Sequence, residues 1–340
     1  MRTDDFDYHL PPELIAQVPA EPRDSARLLV AFRDTHQVEH TLFREIGRYL
    51  EAGDLLVLNE TRVIPARLFA RKAVSGGKVE ILLLKKLDEI RWKALVGGKR
   101  VREGMELTVG DQIRAKVVEA LSGAERVVQF DQPIEPHLSR FGQTPLPPYI
   151  HQRIENVGER YQTVFAKVDG SAAAPTAGLH FTSRLLEELE AKGVRFARLV
   201  LHIGLDTFAP VTEADPLQHR IHTEWCEVGD ETIRAVRETR KMGKRVIAVG
   251  TTSVRALETA ASHSPGEELQ PYRGSTDLYI LPGYTFKVVQ GLITNFHLPR
   301  STLLMLVAAF AGREWILSLY QTAIQMRYRF YSFGDAMLIL

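Results

Sequence analysis

Asn295, His297 and Arg300 lie close together in "ITNFHLPRSTLLMLVAAFAG" (293–312), directly ahead of an unbroken apolar run from Leu303 to Ala311. An amide, an imidazole and a guanidinium so placed can bind a polar ligand and move a proton on it, imidazole being the side chain whose ordinary pKa lies nearest neutrality. A second group sits in "VIAVGTTSVRALE" (246–258), where an apolar strand runs through Gly250 into Thr252, Ser253 and Arg255 at the start of a helix. Hydroxyls and free N–H groups at such a point can hold an anion; the spacing is not that of a phosphate-binding P-loop, and the plain alternative is a strand–turn–helix with capping hydroxyls. "SAAAPTAGLHFT" (171–182) brings Thr176, Gly178 and His180 into a loop of small residues, which either lets a ligand lie against the backbone or is a mobile loop with a surface histidine. "HRIHTEWCEV" (219–228) places His219, His222, Glu224 and Cys226 near one another. That is not a recognised zinc ligand set, so no metal is expected, and Glu224 and His222 are read as polar contacts or proton-transfer groups.

These residues need rigid supports. The run Leu303–Ala311 reads as a buried helix capped by Ser301 or Thr302. Its nine residues are too few to span a bilayer, which takes about 20, so no membrane association is expected. Residues 27–58 read as strand, helix ("TLFREIGRYL") and strand, and after residue 180 helices and strands alternate again. Between 66 and 131 the rhythm changes to short strands separated by Gly76-Gly77, Gly97-Gly98 and other turn signals, as in a small antiparallel barrel. "TPLPPYI" (144–150) reads as a return linker. "RYRFYSFGDAMLI" (327–339) reads as a final core strand, the alternative being an arginine–aromatic base platform. The expected fold is a layered α/β domain with a mostly parallel sheet (1–61 and 146–340), interrupted by an inserted small antiparallel β-barrel domain (62–145).

Composition sets outer limits. Of 340 residues, 45% are hydrophobic and 25% charged, as in soluble proteins, and the length suits two domains. Net charge is +1, so any nucleic-acid surface must be local. Residues 62–126 hold 15 Lys and Arg against 8 Asp and Glu, while the rest of the chain holds 28 against 34. Lys85, Lys86, Lys99 and Arg100 are therefore read as a phosphate-binding face, the alternative being a solvated barrel surface. One cysteine, Cys226, precludes an intrachain disulfide and suits a reducing compartment. The start, "MRTDDFDYHLPPEL", is acidic and has no apolar core of a secretory signal, so a cytoplasmic protein is expected, and a monomer is the expected state.

"EPRDSARLLV", "LNETRVIPARL", "PLPPYI", "RYQTVFA", "PTAGLHFT", "LHIGLDTFAPV", "HTEW", "VGTTSVRALE", "LPGYTF", "LITNFHLPRSTLLMLVAAFAG" and "YRFYSFGDAMLI" resemble, in order, motifs of the S-adenosylmethionine:tRNA ribosyltransferase-isomerase family of the queuosine pathway, from near residue 8 to 340. The stretch "HSPGEELQPYRGS" before Asp277 matches no such motif. The resemblance implies that S-adenosylmethionine donates a ribosyl group to 7-aminomethyl-7-deazaguanine at the tRNA wobble position. Epoxyqueuosine forms, and adenine and methionine are released. No metal or redox cofactor is implied, S-adenosylmethionine being a co-substrate.

That chemistry asks for a base at the acidified C5′ and for a neutral acceptor amine. His297 is the first candidate base and His180 the second, and Asp277 could bind the acceptor base or its amine. Thr252, Ser253 and Arg255 could hold the methionine carboxylate or ribose, and Thr176, Gly178, Glu224, Asn295 and Arg300 complete the expected substrate-binding set. Two rivals stay open: a transferase acting on a small acceptor, and a non-catalytic RNA-binding protein.

Overall fold

The computed structural model describes residues 1–340 except Asp111, Arg153, 205–209 and Glu267. Residues 205–209 belong to the "LHIGLDTFAPV" motif and so lie outside the described residues. Among the described residues nine strands form one sheet, in the order Tyr272–Thr276, Glu224–Val228, Arg195–Leu201, Leu55–Asn59, Val246–Val249, Gly291–Asn295, Ala336–Ile339, Arg27–Phe32 and Gln37–Leu42. The third to sixth of these pair in parallel, as do Ala336–Ile339 and Arg27–Phe32. The remaining four pairings are antiparallel, so the sheet is mixed. The parallel run expected from helix–strand alternation is its centre. Antiparallel strands flank it; of these pairings, a short turn joins only Arg27–Phe32 to Gln37–Leu42, with His36 at φ 54°.

Successive residues of the central strands face opposite ways and build two layers. Leu55, Val57, Val246, Ala248 and Leu292 pack under the helices Asp230–Lys241, Thr251–His263 and Thr302–Ala311. Leu56, Leu58, Ile247, Val249 and Ile293 face the helix Ser183–Ala191, through Leu185 and Leu189. Thr182 caps that helix by accepting from the Leu185 N–H at 3.2 Å.

Two local expectations are corrected. "TLFREIGRYL" is the end of an edge strand followed by a 3₁₀ helix, Phe43–Tyr49, in which only Phe43 and Ile46 are buried. In "RYRFYSFGDAMLI" only Ala336–Ile339 is strand. Arg327 and Tyr331 take positive φ (57° and 70°), which a regular strand does not allow, and the buried Asp335 holds Arg27 and Arg329.

The inserted barrel is closed by six antiparallel strands: Arg67–Lys72, Lys78–Lys86, Arg91–Gly97, Glu125–Phe130, Ile113–Ala120 and Glu106–Val109, the last pairing back to the first. Leu68, Ile81, Trp92, Val117 and Phe130 fill it. At its base Thr61–Val63 pairs in parallel with Val168–Ser171.

The apolar helix Thr302–Ala311 is capped by Ser301, whose hydroxyl accepts from the Leu304 N–H at 3.2 Å. It turns by 114° at Gly312 into Arg313–Gln325, and no single helix among the described residues is long and apolar enough to cross a membrane.

Candidate active site

The parallel strands Leu55–Asn59, Val246–Val249 and Gly291–Asn295 end at one edge of the sheet, where α/β folds place their ligands. Three adjoining clefts open there. The first is walled by Gly250, Thr251, Thr252, Thr176, Thr294, Asn295, His297 and Leu303. The second shares Thr176, Asn295, His297 and Leu303 and adds Tyr149, Tyr331 and Ser332. The third meets them at Leu303 and holds Arg255, His219, His222 and Tyr279.

Asn295 ties the wall together. Its Oδ1 accepts from the Thr176 hydroxyl at 3.0 Å, and its Nδ2 donates to the Tyr331 carbonyl at 3.2 Å. The same amide lies 3.3 Å from His180 Nε2. An amide nitrogen can only donate, so Nε2 of His180 is the acceptor and its proton sits on Nδ1. His180 stacks on Phe43 with centroids 5.0 Å apart, and burial pushes its pKa down to about 4.

His297 faces the first two clefts. Its backbone N–H donates to the Tyr320 hydroxyl at 2.9 Å, and its carbonyl accepts from the Tyr8 hydroxyl. Its Nε2 meets the Thr294 hydroxyl at 2.7 Å. Burial pushes its pKa down to about 3, so the ring is neutral near pH 7.

Gly250 has φ +90°, a left-handed position suited to glycine, and as N-cap it offers no side-chain acceptor to the first N–H groups of Thr251–His263. One turn on, Arg255 is buried and paired with Glu224, and its Nε donates to the Leu278 carbonyl at 3.1 Å. Its Nη2 is buried with no hydrogen-bond partner among the described residues. A guanidinium N–H left over beside a cleft is a place for an anion.

Residues 3–339 match the family described as queuosine biosynthesis protein. The chain belongs to that family. Over the full length of both chains it is 53% identical to the S-adenosylmethionine:tRNA ribosyltransferase-isomerases of Thermotoga maritima and Symbiobacterium thermophilum. It is also similar to the crystal structure of an S-adenosylmethionine tRNA ribosyltransferase from Thermotoga maritima, 45% identical, covering 99% of this chain and 100% of that one, with a TM-score of 0.58.

In this queuosine biosynthesis protein the clefts gather Thr176, Thr252, Arg255, Asn295 and His297, with Glu224 behind Arg255. Asp277 is exposed at the rim, next to Leu278. Other expected residues are turned elsewhere. The Ser253 hydroxyl donates to the Val249 carbonyl at 2.8 Å within its own helix. The space a side chain would take at Gly178 is filled by Phe165 and Thr163, so its smallness serves packing. Arg300 is exposed and lies 3.7 Å from Asp7, on the outer side of its loop.

His219 pairs with Glu213 at 2.9 Å and His222 is exposed. Among the described residues no group of three His, Cys, Asp or Glu side chains is placed to hold a metal. Cys226 is buried, its thiol pushed up to about 12, which leaves it unreactive. Thr294, Tyr149 and Ser332 were not among the expected site residues. Tyr149 comes from the proline-rich linker and carries no local signal, whereas Tyr331 belongs to the segment whose alternative reading is an arginine–aromatic base platform.

Proposed function

We propose that these clefts carry out ribosyl transfer and isomerisation from S-adenosylmethionine to 7-aminomethyl-7-deazaguanine at the wobble position of tRNA, giving epoxyqueuosine and releasing adenine and methionine. Identity of 53% over the whole chain with proteins named for that reaction is the observation that carries it.

The acceptor nitrogen loses a proton as it bonds to the ribosyl carbon, and adenine takes one as its bond to C1′ breaks. The electron pair left at C5′ on deprotonation forms the carbon–carbon bond of the isomerised ring, and methionine leaves C5′ as a neutral thioether when an oxygen of the former ribose closes the epoxide. His297 is the base at C5′. In that role its Nε2–H donates to Thr294, which leaves the Nδ1 lone pair for the proton. Arg255 Nη2 holds the methionine carboxylate and Thr252 the ribose. Tyr149 and Tyr331 flank the cleft that suits a planar base. Asn295 and Thr176 fix the wall, His180 positions Asn295 from behind, and Asp277 receives the cationic aminomethyl group at the rim before it is deprotonated.

Residues 62–145 form the unit that grips tRNA. Lys85, Lys99 and Arg100 are exposed for phosphate contact. Lys86 is also exposed, and its ammonium is held by Glu135, so its contribution is the smallest of the four.

Adenine release, measured with and without tRNA carrying the precursor base, tests the reading. Release should need both substrates. Turnover without tRNA would mark a small-acceptor transferase, and tRNA binding without release would mark a binding protein.

A further inference from the structure

The barrel strand Arg67–Lys72 alternates strictly: Leu68 and Ala70 point into the barrel, while Arg67, Phe69 and Arg71 point out. Phe69 is 50% exposed. Across the ladder Glu80 lies opposite Phe69 and Lys78 opposite Arg71. The next strand presents Gly97 opposite Glu80, so no side chain covers that side. A shallow depression results, with the Phe69 ring at its edge and Arg71, Lys78 and the bare backbone of Gly97 and Gly98 around it. Glu80 is the acidic member, and Arg67 lies 3.1 Å from its carboxylate, which offsets it. Lys99 and Arg100 follow directly at the turn, both exposed.

A lone exposed aromatic on a strand needs no explanation. The cations flanking this ring make the difference. An open aromatic face beside backbone-tracking charge is the arrangement that stacks an unpaired base while neighbouring phosphates are held. Paired bases are already stacked, so a double helix would use the charges and not the ring. We propose that this wall of the barrel binds an unpaired nucleotide of the tRNA substrate, with its base on Phe69 and its flanking phosphates on Arg71 and Lys78. The proposal rests on the tRNA reading above and adds a contact that neither the basic count nor the cleft contains.

Equilibrium tRNA binding by Phe69→Ala, Phe69→Leu and Phe69→Trp tests it, beside single-turnover adenine release at saturating tRNA. Loss of one stacked base should weaken binding by about tenfold. Phe69→Ala and Phe69→Leu should both show this, with the salt slope unchanged, while Phe69→Trp binds at least as well as the parent. Arg71→Gln should instead lower the salt slope by about one. Release at saturation should stay within about twofold of the parent, because an exposed side chain that lines none of the clefts affects neither fold nor chemistry. Binding by Phe69→Ala equal to the parent's, or by Phe69→Leu equal to that of Phe69→Trp, overturns the stacking role. A parent that binds no tRNA overturns the reaction reading instead.

Discussion

Replacing Arg255 by Met should separate two effects that the structure joins at one guanidinium. Arg255 and Glu224 are both more than nine-tenths buried and paired with each other. Removing one partner leaves a buried charge alone, which typically costs about 3–5 kcal/mol. A charge-assisted hydrogen bond from Nη2 to the methionine carboxylate is worth about 1.5–3 kcal/mol, or about 10- to 150-fold in affinity. The single variant therefore loses both stability and donor binding. Adding Glu224→Gln removes the stranded charge, so the double variant should regain much of the stability and none of the affinity. The assay is urea unfolding together with steady-state adenine release at varied S-adenosylmethionine. The KM for the donor should rise with kcat little changed, as for an interaction made equally in ground and transition states. A decarboxylated donor analogue makes the test specific. The parent should discriminate against it by about tenfold or more, whereas the double variant should not discriminate. A double variant that keeps the parent's preference would refute the placement of the carboxylate.

Two further expectations follow from the buried histidines. His297→Ala and His297→Gln should slow single-turnover adenine release by about 10²–10⁴ with normal melting; rates within about threefold of the parent would remove His297 from the chemistry. His180 and His297 are both held below the ordinary histidine value, at about 4 and about 3, by burial. The unfolded chain takes up these protons near pH 6.5, so their contribution is complete above that value and is lost as pH falls toward the folded values. At pH 5 the loss is about 2 kcal/mol for each. Urea unfolding at pH 7.5 and pH 5 should show a smaller drop for His297→Gln than for the parent, and equal drops would contradict a neutral buried His297.

The legible parts of the fold were those where local pattern and tertiary role agree. The apolar run 303–311 had to be buried, and Ser301 caps it. Glycine pairs and short alternating runs marked the barrel, and Gly250 marked the turn at the sheet edge. What failed depended on partners distant in the chain. The edge strand Gln37–Leu42 buries none of its residues fully and so has no hydrophobic period. Tyr149 and Tyr331 meet, with centroids 4.8 Å apart, only because a linker and a C-terminal loop cross there. Ser253 and Arg300 lie in the expected segments, but their side chains are held by the Val249 carbonyl and beside Asp7, since segment position does not fix side-chain direction.

The charges of the site fit the donor's own charge pattern under the placement proposed here. S-adenosylmethionine carries a sulfonium at its centre and a carboxylate at one end. A protonated imidazole beside the sulfonium would repel it and could take no proton from C5′. The wall around Asn295 avoids this because His180 and His297 are buried enough to stay neutral near pH 7. The full positive charge of the site, Arg255, lies in the adjoining cleft, where Glu224 balances it and its spare Nη2 remains for an anion. With the carboxylate on Arg255, the sulfonium is directed toward the neutral wall and C5′ toward His297. Binding at one end and proton removal at the other are then separate tasks of separate residues. This is why the Arg255 variants should change KM and the His297 variants the chemical step, and similar kinetic defects from both would mean that the two ends of the donor have been assigned wrongly.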